Sequence, residues 1–286
     1  IDFGDGLKLE SLGGYLVSRP SPAAEGTRPR HPHRWADADA VYDVQQRRWT
    51  HHSAWPESLT LDCGNFSMPV RPTPFGHIGL FPEQTKNWQW LSSEPQPNEP
   101  LALNLFAYTG ASTMALARAG FSVVHVDAAK PNVTAAKIAA ETNQLSDAPI
   151  RYLVDDAAKF AAREVRRQRQ YHTIVMDPPA YGHSPKGKTW RLERDLWPLL
   201  DDCLELIDPM HFRMLITGHS PQVDASDVVE YLMRSAVIKA AQKKIGSVSK
   251  RADQQFKINQ DAVSTRDFMS APKAAANHDG VAAESD

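Results

Sequence analysis

Cysteine is nearly absent from this chain: Cys63 and Cys203 are the only two in 286 residues. Two cannot build a disulfide framework or, by themselves, a zinc site, which fits a reducing, cytoplasmic setting. Long apolar runs are missing as well. No stretch approaches the roughly 20 apolar residues of a membrane-spanning helix, and mean hydropathy is -0.45, so no membrane partner is expected. Neither sign of charge dominates, with 32 Lys and Arg against 34 Asp and Glu. A nucleic-acid partner would therefore be held by local patches rather than by a global field. Of the G-x-G-x-x-G dinucleotide fingerprint only Gly110 is present. His51 and His52 have no partner at metal-ligand spacing, so no metal is expected. Residues 1–10 show no basic segment leading into an apolar one, which argues against a signal peptide, and the missing initiator Met suggests a fragment.

What the chain does contain is 42% hydrophobic and 23% charged residues, the balance of a globular protein with one large domain or a domain plus an appendage. Residues 1–95 are rich in Pro, Trp and His and lack sustained helical periodicity. Short strands are expected there at 13–19, 59–62 and 65–70, making a small β-rich appendage. Residues 92–100 read as a surface linker, because each proline removes a donor that a strand or helix interior needs. From 96 to 245, short apolar runs alternate with amphipathic stretches. Strands are expected at 101–106, 121–126, 150–154, 173–176 and 212–217, and helices at 112–118, 133–143 and 160–169, with Pro131 in the first turn of the second helix. This alternation predicts an α/β fold with a doubly wound parallel sheet. Residues 246–286 form an irregular tail, expected to be disordered from 270 onward.

In such a sheet, ligands bind outside the carboxyl ends of the strands, and four strands end informatively. The run NLFAYTG at 104–110 leads from a strand through a small-residue loop into a helix, where backbone N–H groups can meet a ligand; a plain tight turn at Gly110 is the alternative. Asp127 ends the second strand, where a carboxylate can accept from both hydroxyls of an adenosine ribose or can cap the helix near Pro131. Asp155, Asp156 and Ala157 follow the third strand. One carboxylate can accept from an adenine amine while the Ala157 N–H faces a ring nitrogen, and capping the next helix is the competing role. The run DPPAY at 177–181 is the most specific signal: Pro178 and Pro179 force a rigid extended turn, and Tyr181 can stack on a planar substrate.

In this order and spacing, the four landmarks resemble a class I S-adenosylmethionine-dependent methyltransferase, more narrowly the branch containing the bacterial 23S rRNA cytosine-5 methyltransferases. GLFPEQ at 79–84 resembles that branch's segment closing over the cofactor, and GDGLKLE at 4–10 with Gly13, Gly14 and Tyr15 resembles its N-terminal β subdomain. The resemblance implies a Rossmann-like methyltransferase sheet with a small N-terminal β-rich subdomain, S-adenosyl-L-methionine as cofactor and an rRNA-like substrate. It places cofactor binding on Gln84, Asn104, Phe106, Tyr108, Thr109, Gly110, Asp127, Ala128, Asp156 and Ala157, and catalysis on Asp177, Pro178, Pro179 and Tyr181. Asn104 stands where many class I enzymes have an acidic residue.

A second departure bears on mechanism. The cytosine-5 enzymes present a nucleophilic Cys after the fifth strand, where this chain reads LITGHS at 215–220. Methylating C5 needs a thiolate to add at C6, and neither Cys63 nor Cys203 is placed for it; Cys203 falls in an amphipathic stretch, 199–207, as a small packed hydrophobe. A heteroatom already has a lone pair and needs only positioning and loss of a proton. DPPAY also resembles the Asp/Asn-Pro-Pro-aromatic motif of amino-methyltransferases, with Ala180 in the aromatic slot, so base heteroatom and carbon both stay open.

Three basic segments remain. The loop 182–188, with Lys186 and Lys188 and the neighbouring Arg191, can hold an anionic substrate or be merely solvated. The Arg-rich run 163–169 reads as a solvated helical face. Arg28, Arg30, His31, His33 and Arg34 beside Trp35 suit an RNA-facing surface or a plain loop. The rival functions are a catalytically silent nucleic-acid-binding module on the same fold and an NAD-type Rossmann oxidoreductase, the latter weakened by the missing fingerprint.

Overall fold

A computed structural model describes residues 1–56, 59–93, 98–183, 189–218, 220 and 222–239. The tail and its expected disorder lie outside the described residues, as do 94–97 of the linker and 184–188 of the basic loop.

The chain opens with β1 (Asp2–Gly4), β2 (Leu7–Leu12), β3 (Tyr15–Pro20), β4 (Ala40–Asp43) and β5 (Arg48–His51), paired in that order into one sheet in which β3–β4 is the parallel step. A separate hairpin follows, β6 (Leu59–Asp62) with β7 (Ser67–Val70), the first at the expected strand 59–62 and the second within the expected 65–70. Next comes α1 (Thr85–Ser93), which corrects the sequence reading on two points. A helix stands in a region expected to have none, and it takes up Ser92 and Ser93 of the expected linker. Nine residues are too few for periodicity to register among prolines; burial of Asn87, Trp88 and Leu91 holds it.

The α/β portion runs β8 (Leu101–Leu105), α2 (Ala111–Arg118), β9 (Ser122–Asp127), α3 (Lys130–Thr142), β10 (Ile150–Val154), α4 (Ala157–Arg166), β11 (Thr173–Met176), β12 (Tyr181–His183), β13 (Thr189–Arg191), α5 (Leu192–Leu206), β14 (Arg213–Ile216) and α6 (Ala225–Arg234). Five of these strands pair in parallel in the order β10-β9-β8-β11-β14, the doubly wound sheet expected. The antiparallel β12–β13 hairpin is a difference, since Gly182 and His183 were expected in a loop. So is the Arg-rich run, which is partly ion-paired. Arg163 bridges Asp155, and Arg167 reaches the buried Glu164 at 2.8 Å.

Alternation sorts the sheet's side chains. Leu103, Leu105, Val124, Val126, Ile174 and Met176 pack with Phe160 of α4 and Leu196, Leu200 and Cys203 of α5. Ala102, Val123 and Val175 pack with Leu91 of α1, Leu116 of α2 and Phe121. Because successive residues of a strand face opposite ways, both faces are covered, which is why these strands read as apolar runs. Arg213 of β14 fastens α1 to the sheet, donating to the carbonyls of Trp90 (3.3 Å) and Leu91 (3.1 Å). A further cluster, including Val17, Leu59, Met68, Ile78 and Trp88 with Met114 and Ala139, joins the N-terminal strands to α2 and α3. The order of strands reverses between β8 and β11, so a crevice opens above their carboxyl ends. No described helix is long and apolar enough to cross a membrane.

Candidate active site

The loop after β8 is held in a costly shape. Phe106 and Tyr108 take left-handed φ values of 53° and 50°, and Gly110 one of 93°; for the two non-glycine residues that costs on the order of 1 kcal/mol or more each. Tertiary contacts impose it. Ala107 N donates to the Val126 carbonyl at 3.0 Å, and Tyr108 N donates to Asp127 Oδ2 at 2.8 Å. A Cβ on Gly110 would lie 2.9 Å from Ala136 Cβ, so the loop can approach α3 only without a side chain there.

Asp127 works as a clip. Besides Tyr108, it accepts through Oδ1 from Ala129 N at 2.9 Å and Asn132 Nδ2 at 3.0 Å. Oδ2 carries one of these bonds and keeps acceptor capacity. The residue flanking α3 as N-cap is Ala129, not Asp127. Asp156 does cap its helix, accepting from Lys159 N through Oδ1 at 3.0 Å, while Asp155 accepts from Asp156 N at 2.8 Å. Beneath the loop, Asn104 Nδ2 donates to Thr113 Oγ1 at 2.9 Å, and Thr113 is 2.9 Å from His125 Nδ1. Burial pushes the imidazole of His125 down to about 4, so it is neutral at physiological pH.

From above, Thr109 Oγ1 donates to the Gly79 carbonyl at 2.6 Å, and the Phe81 ring centroid lies 5.5 Å from that of Tyr108. These contacts lay the segment before α1 over the loop. On the far side, register pairing of Met176 with Ile216 brings residue 177 beside residue 217, and Thr217 Oγ1 donates to Asp177 Oδ1 at 2.7 Å. Asp177 lines the crevice and is exposed to it, with protein packed around it on the other sides. Desolvation pushes it above its ordinary value, with the Thr217 bond pulling the other way and the Glu83 charge adding to the rise. The turn behind it is braced: Trp190 Nε1 donates to the Pro179 carbonyl at 2.7 Å, and its ring stands 4.9 Å from that of Phe106.

The resulting cleft holds about 470 Å³, open solvent included. Leu80, Phe81, Gln84 and Trp88 form one wall, Asn104 and the loop from Phe106 to Ser112 the floor, and Val175, Asp177, Leu215 and Thr217 the other wall. It gathers Gln84, Asn104, Phe106, Tyr108, Thr109, Gly110 and Asp177 of the expected residues. Asp127, Ala128, Asp156 and Ala157 stand at neighbouring strand ends outside its lining, as do Pro178, Pro179 and Tyr181 beside it. The sequence reading missed Trp88 and Thr217. The latter lay within 215–220, a stretch weighed only for its lack of cysteine. Both cysteines are buried. Burial pushes the Cys63 thiol up to about 11 and that of Cys203 higher still, so neither supplies a thiolate.

No family model matches the chain. A solved S-adenosylmethionine-dependent methyltransferase from Agrobacterium tumefaciens is 38% identical, with a TM-score of 0.76, over 81% of this chain and 75% of that one. The chain belongs to the S-adenosylmethionine-dependent methyltransferases. This methyltransferase also shares its fold with a methyltransferase solved in complex with SAH, 19% identical, TM-score 0.65, over 80% of this chain and 63% of that one. Among curated proteins, ribosomal RNA large subunit methyltransferase K/L of Syntrophotalea carbinolica is 31% identical over 148 residues, which is 51% of this chain and 20% of that protein. The chain thus spans about a fifth of that relative's length. The cofactor of the methyltransferase is S-adenosylmethionine, and the cleft suits it: apolar walls at Leu80, Phe81, Trp88 and Leu215 face a floor whose backbone is bared by Gly110.

Proposed function

We propose that this methyltransferase transfers a methyl group to a heteroatom of an RNA base. The observation that carries the reading is Asp177, a carboxyl group with raised proton affinity, fixed by Thr217 at the strand-order switch. RNA as substrate is supported by the rRNA methyltransferase relatives, and heteroatom chemistry by the burial of both cysteines.

In this reading Gln84, Asn104, Phe106, Tyr108, Thr109 and Gly110 hold S-adenosylmethionine, with Asp127, Ala128, Asp156 and Ala157 at its adenosine end. When bound, the cofactor supplies a methyl group made electrophilic by its sulfonium. Asp177 accepts a hydrogen bond from the N–H or O–H of the acceptor, orients its lone pair, and takes up the proton released. The rigid Pro178 and Pro179 keep it aimed, and Tyr181 meets the base. Residues 1–95 serve as an appendage whose segment 79–84 closes the cleft and 96–245 as the methyl-transfer unit, working in the cytoplasm. The test is methyl transfer from labelled cofactor into separated RNA, protein and small-molecule pools, followed by nucleoside mass spectrometry. Label on a base nitrogen or oxygen supports the reading; label at cytosine C5, or none in RNA, overturns it.

A further inference from the structure

We infer that Phe75 is a base-stacking residue that receives an unpaired nucleotide of the RNA substrate beside the methyl-transfer cleft. The inference rests on the RNA reading above and adds to it the place where the strand is gripped.

At 78% exposure, Phe75 is the most exposed large apolar side chain among the described residues. It does not lie on a loose loop. Residues 71–78 form a hairpin, with Arg71 N donating to the Ile78 carbonyl at 3.1 Å and Thr73 N to the His77 carbonyl at 2.7 Å. Its tip is fastened to the N-terminal sheet by two aromatic donors that face each other across β4 and β5. Tyr42 Oη donates to the Pro74 carbonyl at 3.0 Å, and Trp49 Nε1 to the Thr73 carbonyl at 2.7 Å. Gly76, at φ 77°, lets the tip close on the Tyr42 ring, since a Cβ there would meet it at 2.8 Å. The fold thus holds in place a segment that leaves the Phe75 ring in water, so the backbone beside the ring need not be ordered when a base stacks on it.

The hairpin leads directly into the cleft. Phe75 precedes Gly79, whose carbonyl is held by Thr109, by four residues, a reach of at most ~14 Å. From His77, two residues on, a succession of rings leads to the cofactor loop: His77 lies 5.9 Å from Phe81, and Phe81 lies 5.5 Å from Tyr108. Arg71, exposed at the base of the hairpin, adds a cation for a phosphate. A protein partner fits less well. A stable protein interface needs a contiguous patch of about 800 Å² per partner, whereas a base needs one accessible ring face. Here a single ring stands between Pro74 and Gly76.

The test uses the full chain, a mixed-sequence single-stranded RNA carrying 2-aminopurine, and total bacterial rRNA as methyl acceptor. Phe75→Ala is expected to weaken binding of the oligonucleotide roughly 5- to 150-fold and to lose the 2-aminopurine quenching seen with wild type. KM for rRNA should rise, cofactor affinity should stay unchanged, and Phe75→Trp should restore binding. Equal RNA affinity and equal quenching for wild type and Phe75→Ala, while wild type methylates rRNA, would overturn this inference alone. Wild type that labels protein or small molecules and not RNA would overturn the RNA reading with it. A dimer that Phe75→Ala dissociates in sedimentation, with RNA binding intact, would assign the ring to self-association instead.

Discussion

The hydroxyl of Thr217 donates to Asp177 Oδ1 across 2.7 Å, linking the ends of two adjacent parallel strands from positions 40 residues apart. That bond favours the ionised carboxylate and partly offsets the desolvation that raises its proton affinity. Thr217→Val removes the donor at nearly constant volume, so the acid limb of the pH–rate profile should move to higher pH, with cofactor affinity unchanged. An unmoved limb would show that Asp177 does not titrate in the rate-determining step.

Asp177→Ala should lower kcat at least 100-fold, the scale of a positioned proton acceptor, while calorimetry finds the cofactor bound as in wild type. Parallel loss of both would place Asp177 in binding rather than in the transition state.

Gly110→Ala should destabilise the protein by about 2 kcal/mol, combining a left-handed backbone with the 2.9 Å approach to Ala136. Urea unfolding measures it. Because the same residue shapes the cleft floor, cofactor affinity should fall with it.

Asp127→Ala frees Tyr108 N, Ala129 N and Asn132 Nδ2 together. A loss of about 3 kcal/mol of stability is expected from these charge-assisted bonds, which do not add fully, along with weaker cofactor binding. Weakened binding with unchanged stability would mean that the clip is not what holds the loop.

Asp2 accepts from Arg30 N (3.1 Å), His31 N (2.9 Å) and Trp35 Nε1 (2.9 Å), fixing the backbone of the basic cluster at 28–34. Burial alone would raise its carboxyl, but these bonds outweigh burial and hold it well below the ordinary value. A depressed carboxylate contributes stability above its unfolded value of 3.8, and that contribution is lost as pH falls towards the folded one. The stability gap between wild type and Asp2→Ala should therefore be widest near pH 7 and narrow below about pH 4, as urea unfolding at several pH values would record.

The sequence by itself determined the α/β sheet and its strand ends. Parallel strands buried on both faces are largely apolar, so 101–105 and 173–176 announce themselves, and the carboxylates at the strand ends, Asp127, Asp156 and Asp177, mark where a ligand can lie. Local chemistry could not settle what those carboxylates do. An Asp at a strand end is equally suited to a ribose, a helix cap or a backbone clip; the arrival of Tyr108 N and Thr217 Oγ1 from elsewhere in the chain assigned the bonds of Asp127 and Asp177, while Asp156 makes the local cap to Lys159 N. The helix α1 and the β12–β13 hairpin were hidden for a related reason. Each is too short to have a period of its own and is stabilised by distant partners, Arg213 beneath α1 and the Pro179 carbonyl beside Trp190. Exposure, too, belongs to tertiary structure. Phe75 reads in the sequence as one more apolar residue, and its position in water follows from Trp49 and Tyr42 holding the backbone just before it, at Thr73 and Pro74.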